Sequence, residues 1–444
     1  MKNIKYKILI ACGLFAMATQ SCKKDFANPN AANSGEVLNT REGMFRYSLS
    51  LIQFYSTSNL GSLVVATGAT TREIKGKSTL LNVIDIEAGG SALPTDNGTV
   101  NGVFVNSMRT MAAAEDIINN APTVLASDPA TLSGVLSNAR LFKAMAIGAL
   151  ATAYENVPQN VDRNGKAVYS PRLAALQSAV VLLDQAAANL AATAPSVEFN
   201  TRILGGTNFD LINTVNAFRA RLNLMAGNYI AAKAAADLVN LSSKSVFSYS
   251  TASSNPGWNI LVQGSPAYKP RDFFGLPASL YDVTDGRRNF FNIAPSVVDG
   301  VDVLRTMTGF YTSQIGTLPV YIPDEMKLIK AECILRNPAL GTLTQAVAEI
   351  NAVRTQSAGD PFGVNAALAA YSGVVDVPSL LLEVYRQRCA ELYLQGVKME
   401  DCRRFSRPSA IAAPTATDER TRNFYPYPVT ERNLNPNTPA DPAI

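Results

Sequence analysis

Not one histidine occurs in the 444 residues, and that absence removes a large share of enzyme chemistry. Ser-His-Asp and Cys-His nucleophile activation, imidazole acid–base catalysis and His-ligated metals are excluded together. Cysteine is sparse, with five residues and no C-x-x-C pair, so neither a zinc site nor a dithiol redox motif is signalled. No metal and no cofactor is expected. Past residue 22 no apolar run reads as long enough to cross a bilayer, which takes roughly 20 residues; the uncharged stretch 144–154 reads as a buried helix. Basic surplus is also missing. The formal charge of +4 includes Lys2, Lys5 and Lys7, and removal of residues 1–21 lowers Lys+Arg from 39 to 36 against 35 acids. Nucleic-acid binding, which neutralises several phosphates, is excluded on that balance.

What is present begins at the N-terminus. Lys2, Lys5 and Lys7 precede an apolar stretch over 8–18 and a small residue, Ser21, before Cys22. Basic start, short apolar run and small residue are the parts of a signal peptide. A cysteine at the end of that run makes residues 1–21 a lipoprotein leader and Cys22 the lipidated residue. Cys22-Lys23-Lys24-Asp25 looks like the charged export tract of lipoproteins on the outer face of the outer membrane. An ordinary secretory signal with an incidental cysteine is the alternative. Cys333, Cys389 and Cys402 remain, read as buried free thiols, with a bridge between two of them as the other option.

Residues 22–40 read as a lipidated tether rich in Asn, Ala and Pro. Helical spacing of apolar residues then predicts helices over 104–119, ended by Pro122, and over 131–155, ended by Pro158. In the second, Gly148 and many alanines permit close helix–helix approach. Ser170 is the expected N-cap and Pro171 the first residue of a helix reaching 192. Helices over 214–224 and 229–241 flank a Gly227-Asn228 turn, and the segment 218–234 resembles a tetratricopeptide repeat. Thus 41–241 forms an N-terminal helical part. A loop-rich region, 242–320, gathers aromatic residues among Gly, Pro, Asn and Ser. Helices resume over 324–336, 344–355 and 379–396, and 321–444 closes with a packed, proline-rich tail. Gly76-Lys77-Ser78 is no P-loop, because Thr71 stands where the first glycine is required.

Several segments together resemble the SusD/RagB family of outer-membrane nutrient-binding lipoproteins. Pro323-Asp-Glu-Met-Lys-Leu-Ile-Lys-Ala-Glu-Cys333, with Ile350-Asn-Ala-Val-Arg354, is similar to its paired C-terminal helices. Gln387-Arg388-Cys389-Ala390-Glu391-Leu392, then Gln395-Gly396-Val397-Lys398 and Asp401-Cys402-Arg403-Arg404-Phe405, looks like its C-terminal signature. Gln387, Gln395, Lys398, Cys402 and Phe405 depart from that signature. Asp285-Gly286-Arg287 resembles an Asp-Pro-Arg segment, and Tyr425-Pro-Tyr-Pro428, Glu431 and Leu434-Asn-Pro-Asn437 match the tail.

The resemblance implies a mainly α, tetratricopeptide-like scaffold with a loop-rich ligand-binding insertion. It implies an outer-membrane, lipid-anchored protein facing the cell exterior, which binds a glycan or peptide and passes it to a TonB-dependent SusC-like transporter. No catalysis is required. Arg388, Glu391, Asp401 and Arg404 are expected to form structural ion pairs, with Arg388 and Glu391 sharing a helix face. Ligand contacts are expected from Trp258, Tyr268, Phe273 and Tyr281, since aromatic rings stack on sugar faces, and Trp258 and Tyr268 are expected to be exposed. With one tryptophan, a small oligosaccharide or peptide pocket is favoured over a broad polysaccharide platform. The rivals are a surface-anchored glycoside hydrolase with paired carboxylates, and a helical-repeat assembly factor that binds protein only.

Overall fold

The computed structural model describes residues 38–409, 411, 415 and 418–444; Cys22 and its leader lie outside the described residues. Helices α1 (Arg41–Phe54), α2 (Leu60–Thr70) and α3 (Leu81–Ala88) precede two long ones, α4 (Gly98–Val124) and α5 (Pro129–Ala153). Next come α6 (Arg172–Ala192), α7 (Val197–Arg202), α8 (Leu211–Met225), α9 (Tyr229–Asp237) and the short α10 (Pro256–Leu261) and α11 (Arg287–Phe291). The C-terminal set is α12 (Asp324–Arg336), α13 (Leu343–Arg354), α14 (Val377–Glu391), α15 (Lys398–Arg404) and α16 (Val429–Leu434).

The long helices form a row. Helix α4 packs on α5, α5 on α6, α6 on α8, α8 on α9, α9 on α12, and α12 on α13 and α14. That neighbour-to-neighbour stacking is the tetratricopeptide-like arrangement expected from 218–234. Its spacing depends on small residues: a Cβ on Gly148 would fall 2.9 Å from the Leu222 side chain, so α5 and α8 approach closely only with glycine there. Strands are short and paired in twos: β1 (Ile74–Gly76) with β5 (Tyr268–Pro270), β2 (Asn156–Pro158) with β3 (Tyr169–Pro171), β4 (Val246–Phe247) with β8 (Leu318–Pro319), and β6 (Asn292–Asp299) with β7 (Asp302–Met307).

Several boundaries differ from the sequence reading, each for a local reason. Helix α4 continues through Pro122 to Val124, because Leu125 N–H still closes on Ala121 carbonyl at 2.9 Å. Ser170 does not cap α6. It pairs with Val157 in β3, and Pro171 takes the cap position without a side-chain bond. Helix α9 stops at Asp237, short of 241. Helix α14 stops at Glu391, not at 396, because Leu394 adopts φ 56° and gives its N–H to Glu73 Oε1 at 2.8 Å. The hairpin β6–β7 was not foreseen inside 242–320, although Asp299-Gly300 is a turn signal. Among the described residues one helix, α6, is by length and mean hydropathy apolar enough to cross a membrane, contrary to the reading that no such run exists. It carries Asp184, ion-paired to Arg219, and packs on α5 and α8.

A buried ionic network joins the last helices to the row. Arg388 Nε lies 2.9 Å from Asp401 Oδ2, and its Nη2 lies 3.5 Å from Glu325 Oε1. Arg404 reaches Glu332 at 2.6 Å and Asp401 at 2.7 Å, while Arg221 of α8 holds Glu325 at 2.6 Å. Burial opposes ionisation of Glu325, but Arg221 and Arg388 outweigh it and hold its carboxyl below the ordinary range. Glu391 turns away from Arg388 and pairs with Arg287 at 3.1 Å, so their shared face does not make them partners.

The tail is strapped down by its own motif. Tyr425 bonds Thr70 Oγ1 at 2.9 Å, Tyr427 bonds both backbone groups of Asn156, and Asn435 donates to Ala167 carbonyl and Glu431. Cys333, Cys389 and Cys402 are free, buried thiols; burial pushes Cys333 up to about 12 and Cys402 up to about 11. Replacing Arg388 by methionine leaves Asp401 and Glu325 short of a buried partner. The expected loss is about 3–5 kcal/mol, read as a lower urea midpoint at unchanged slope.

Candidate functional site

The site is built where the loop after α2 meets the chain leaving β5. Ile74 stands opposite Pro270 and Gly76 opposite Tyr268, and Arg271 bridges to Leu304 of β7. The β6–β7 hairpin therefore joins the same small platform. Beyond Arg271, Phe273 and Phe274 take φ of 52° and 61°, and Gly275 follows at 66°. Two bulky residues in succession in the left-handed region are strained, because Cβ crowds the backbone carbonyl. Arg72, facing Gly275, is left-handed as well, with φ 62°. A Cβ on Gly275 would fall 1.8 Å from the Arg72 carbonyl oxygen, so only glycine lets the two loops touch. Strain of this kind persists where the surroundings over-determine it. Here they do: Lys398 donates to Phe274 carbonyl at 2.8 Å, and Tyr393 OH donates to the carbonyls of Glu73 and Arg271 at 2.9 and 3.1 Å.

The turn delivers an aromatic stack. Phe273 and Tyr281 lie with centroids 3.8 Å apart and planes 5° from parallel. The Arg288 guanidinium sits 4.2 Å from the Phe273 centroid. Groups this close cannot share one face, so Phe273 is enclosed on both sides and Tyr281 forms the end of the stack. Beside it lies a cavity of about 240 Å³, lined by Arg72, Arg271, Asp272, Phe273, Tyr281 and Asp302 among others. A groove of about 640 Å³ shares Arg72, Arg271 and Asp302 with it and extends to Lys75, Ser78 and Glu87.

The charges around this cavity are interlocked. Asp272 accepts from Arg288 at 2.7 Å and from Arg305 at 2.8 Å. Asp302 meets Arg72, Lys75 at 3.0 Å and Arg271 at 3.0 Å. Lys77, from the dismissed P-loop motif, pairs with Asp299 at 2.7 Å. Burial alone would raise the carboxyls of Asp272 and Asp302, but their arginine partners overcome it and hold both below the usual carboxylate range. Six cations (Arg72, Lys75, Lys77, Arg271, Arg288, Arg305) face four acids (Glu87, Asp272, Asp299, Asp302).

Two of the four aromatic residues singled out from the sequence, Phe273 and Tyr281, meet at this cavity. Trp258 is half-buried on α10, away from its lining. Tyr268 is 4% exposed, against the expectation of an exposed ring, because β5 packs it under the platform opposite Gly76. The arginines and aspartates of the cavity were missed. The signal was the run Arg271-Asp272-Phe273-Phe274, charges set directly beside rings in an otherwise polar loop.

The fold is shared by many solved structures. A SusD homologue from Bacteroides thetaiotaomicron superposes with a TM-score of 0.70 at 15% identity, over 92% of this chain and 99% of that one. The fold is SusD-like. A SusD-like carbohydrate-binding protein from Bacteroides fragilis matches with a TM-score of 0.67 at 15% identity, over 90% of this chain and 99% of its own. A laminarin-binding SusD-like protein gives 0.64 at 14%, over 93% and 100%. No protein-family model matches the sequence, and no curated protein does. The SusD-like scaffold accounts for the order of motifs from the paired helices to the tail, since each now has a place in the row or in its strap.

Glu73, between Arg72 and β1, ties this site to the scaffold. Burial pushes its carboxyl up to about 7, against the pull of Lys398 and the Leu394 N–H. Its folded value lies above its unfolded value near 4.3, so the folded protein holds the extra proton between them. Stability should therefore be greatest below the unfolded value and fall as pH rises toward 7. Glu73→Gln should flatten that part of the profile, read from denaturant midpoints between pH 4.5 and 7.5.

Proposed function

We propose that the chain is a surface lipoprotein that captures an oligosaccharide nutrient and hands it to a TonB-dependent SusC-like transporter. The observation that carries this reading is the Phe273–Tyr281 stack, held by a strained turn over a cavity rich in hydrogen-bond donors, on a SusD-like scaffold. A pyranose ring lies flat on the outer face of Tyr281, and its hydroxyls meet Arg72, Arg271 and the backbone of the turn. Phe273, covered on both faces, acts as the support of that ring. Cys22 supplies the anchor, and the Lys-Lys-Asp tract behind it places the protein on the outer face. Specificity arises from pocket shape and hydrogen bonding, and release accompanies opening of the lid that the lipoprotein forms on its transporter.

The ion pairing of the cavity supports binding over glycoside hydrolysis. A general acid for glycosidic cleavage needs a carboxyl raised toward neutrality. Asp272 and Asp302 are shifted the other way by their arginines. A peptide ligand is the second reading, favoured by the cations, which suit carboxylate side chains.

A panel of oligosaccharides titrated calorimetrically into the protein should yield at least one ligand and no product. Tyr281→Ala should weaken that ligand about tenfold or more, equal to about 1.4 kcal/mol. Trp258→Ala should leave it unchanged. Steady product formation abolished by one Asp or Glu substitution would overturn the binding role. Heat with peptides alone would move the ligand class.

A further inference from the structure

Behind the site, where α11, α12, α14 and the 360–364 loop converge, three carboxylates share a buried space. One oxygen from each of Asp324, Asp360 and Glu391 lies within 4.8 Å of the others, and all three residues are buried. Each carboxylate is fixed on one side by the protein. Asp324 Oδ1 meets Lys327 Nζ at 2.7 Å, and Glu391 Oε2 accepts from Arg287 at 3.1 Å. Asp360 Oδ1 accepts from Phe362 N–H at 2.7 Å and Val364 N–H at 2.9 Å. The opposite oxygens, Asp360 Oδ2 and Glu391 Oε1, have no hydrogen-bond partner, although their residues are 8% and 1% exposed. Leaving one such oxygen bare and buried is unfavourable by about 1–3 kcal/mol, more when it is charged. Two together call for an occupant.

Charge gives the occupant's valence. Asp285, Asp324, Asp360 and Glu391 are accompanied by two paired cations, Arg287 and Lys327. Two negative charges stay uncompensated in a buried place. We propose that Asp324, Asp360 and Glu391 bind one divalent cation, calcium by the chemistry of the donor set. An all-oxygen, carboxylate-rich set selects a hard cation. Oxygens on opposite sides of a calcium ion bound at about 2.4 Å lie about 4.8 Å apart, a separation that no pair in this cluster exceeds. Magnesium, which demands near-ideal octahedra at about 2.1 Å and usually keeps several waters, is less suited to a buried set of protein carboxylates. The three ligands come from α12, the 360–364 loop and the end of α14. The ion therefore clasps the C-terminal helices to Arg287, whose neighbour Arg288 covers Phe273. Its role is structural, holding the wall that carries the aromatic stack.

The competing occupant is a proton. Burial, with Asp324 and Asp360 close by, outweighs Arg287 and pushes the Glu391 carboxyl up to about 8. The test separates the two. The full chain, stripped with chelator and dialysed, is titrated with CaCl₂ and with MgCl₂ at pH 7.5, with calcium per chain measured by mass spectrometry. One calcium per chain, a raised melting temperature and weaker magnesium binding are expected. Asp360→Asn should lower calcium affinity about tenfold or more. Crystals of the unaltered protein grown with Tb³⁺ give a readout independent of any variant's folding, an anomalous peak among the three carboxylates. Absence of bound calcium, undiminished binding by a folded Asp360→Asn protein, or a Tb³⁺ peak elsewhere would overturn the proposal.

Discussion

The pairing of Arg388 with Asp401 is the contact on which the rest of the molecule depends. Neither group is tolerable in the interior without the other, and each recruits a second partner: Glu325 for the guanidinium, Arg404 for the carboxylate. Through Glu325 the pair reaches Arg221 in the middle of the helical row, and through Arg404 it reaches Glu332. Buried ion pairs are weak sources of net stability but strict about geometry. The network fixes how α14 and α15 sit against α8 and α12, more than how strongly they are held.

That orientation is inherited by the candidate site. Between Glu391 and Lys398 the chain leaves α14 and enters α15, and along this short link it supplies the bonds that hold the strained turn. Tyr393 binds the carbonyls before and beneath the turn, Leu394 is held by Glu73, and Lys398 grips Phe274. A C-terminal motif far from the cavity in sequence thus decides the positions of Phe273 and, through stacking, Tyr281. Signature and site form one mechanical unit.

Much of the scaffold was legible beforehand because helical periodicity and small residues are local signals. The helix over 324–336 and the turn at Gly227-Asn228 were read at their observed positions. The failures lie where a distant partner overrides a local preference. Ser170 prefers to cap, yet the strand Asn156–Pro158 claims its backbone through Val157. Leu394 would extend a helix, yet Glu73, more than 300 residues away in sequence, takes its N–H. In the candidate site, aromatic content pointed to the right region and to Phe273 and Tyr281. It could not separate a ring packed under a strand, as at Tyr268, from one at the end of a stack. The charged groups were invisible for a similar reason: their significance lies in contacts between residues 72–77, 271–288 and 299–305 that no single window contains.

If the site binds as proposed, the left-handed backbone at Phe273 and Phe274 has a consequence for how recognition is timed. Because the unfavourable conformation is settled when the chain folds, the ring faces are already in position before a ligand arrives. Little ordering entropy is left for the encounter itself. On the proposed sugar-binding role, discrimination would work as a rigid template does, rejecting sugars whose outline mismatches instead of reshaping to them.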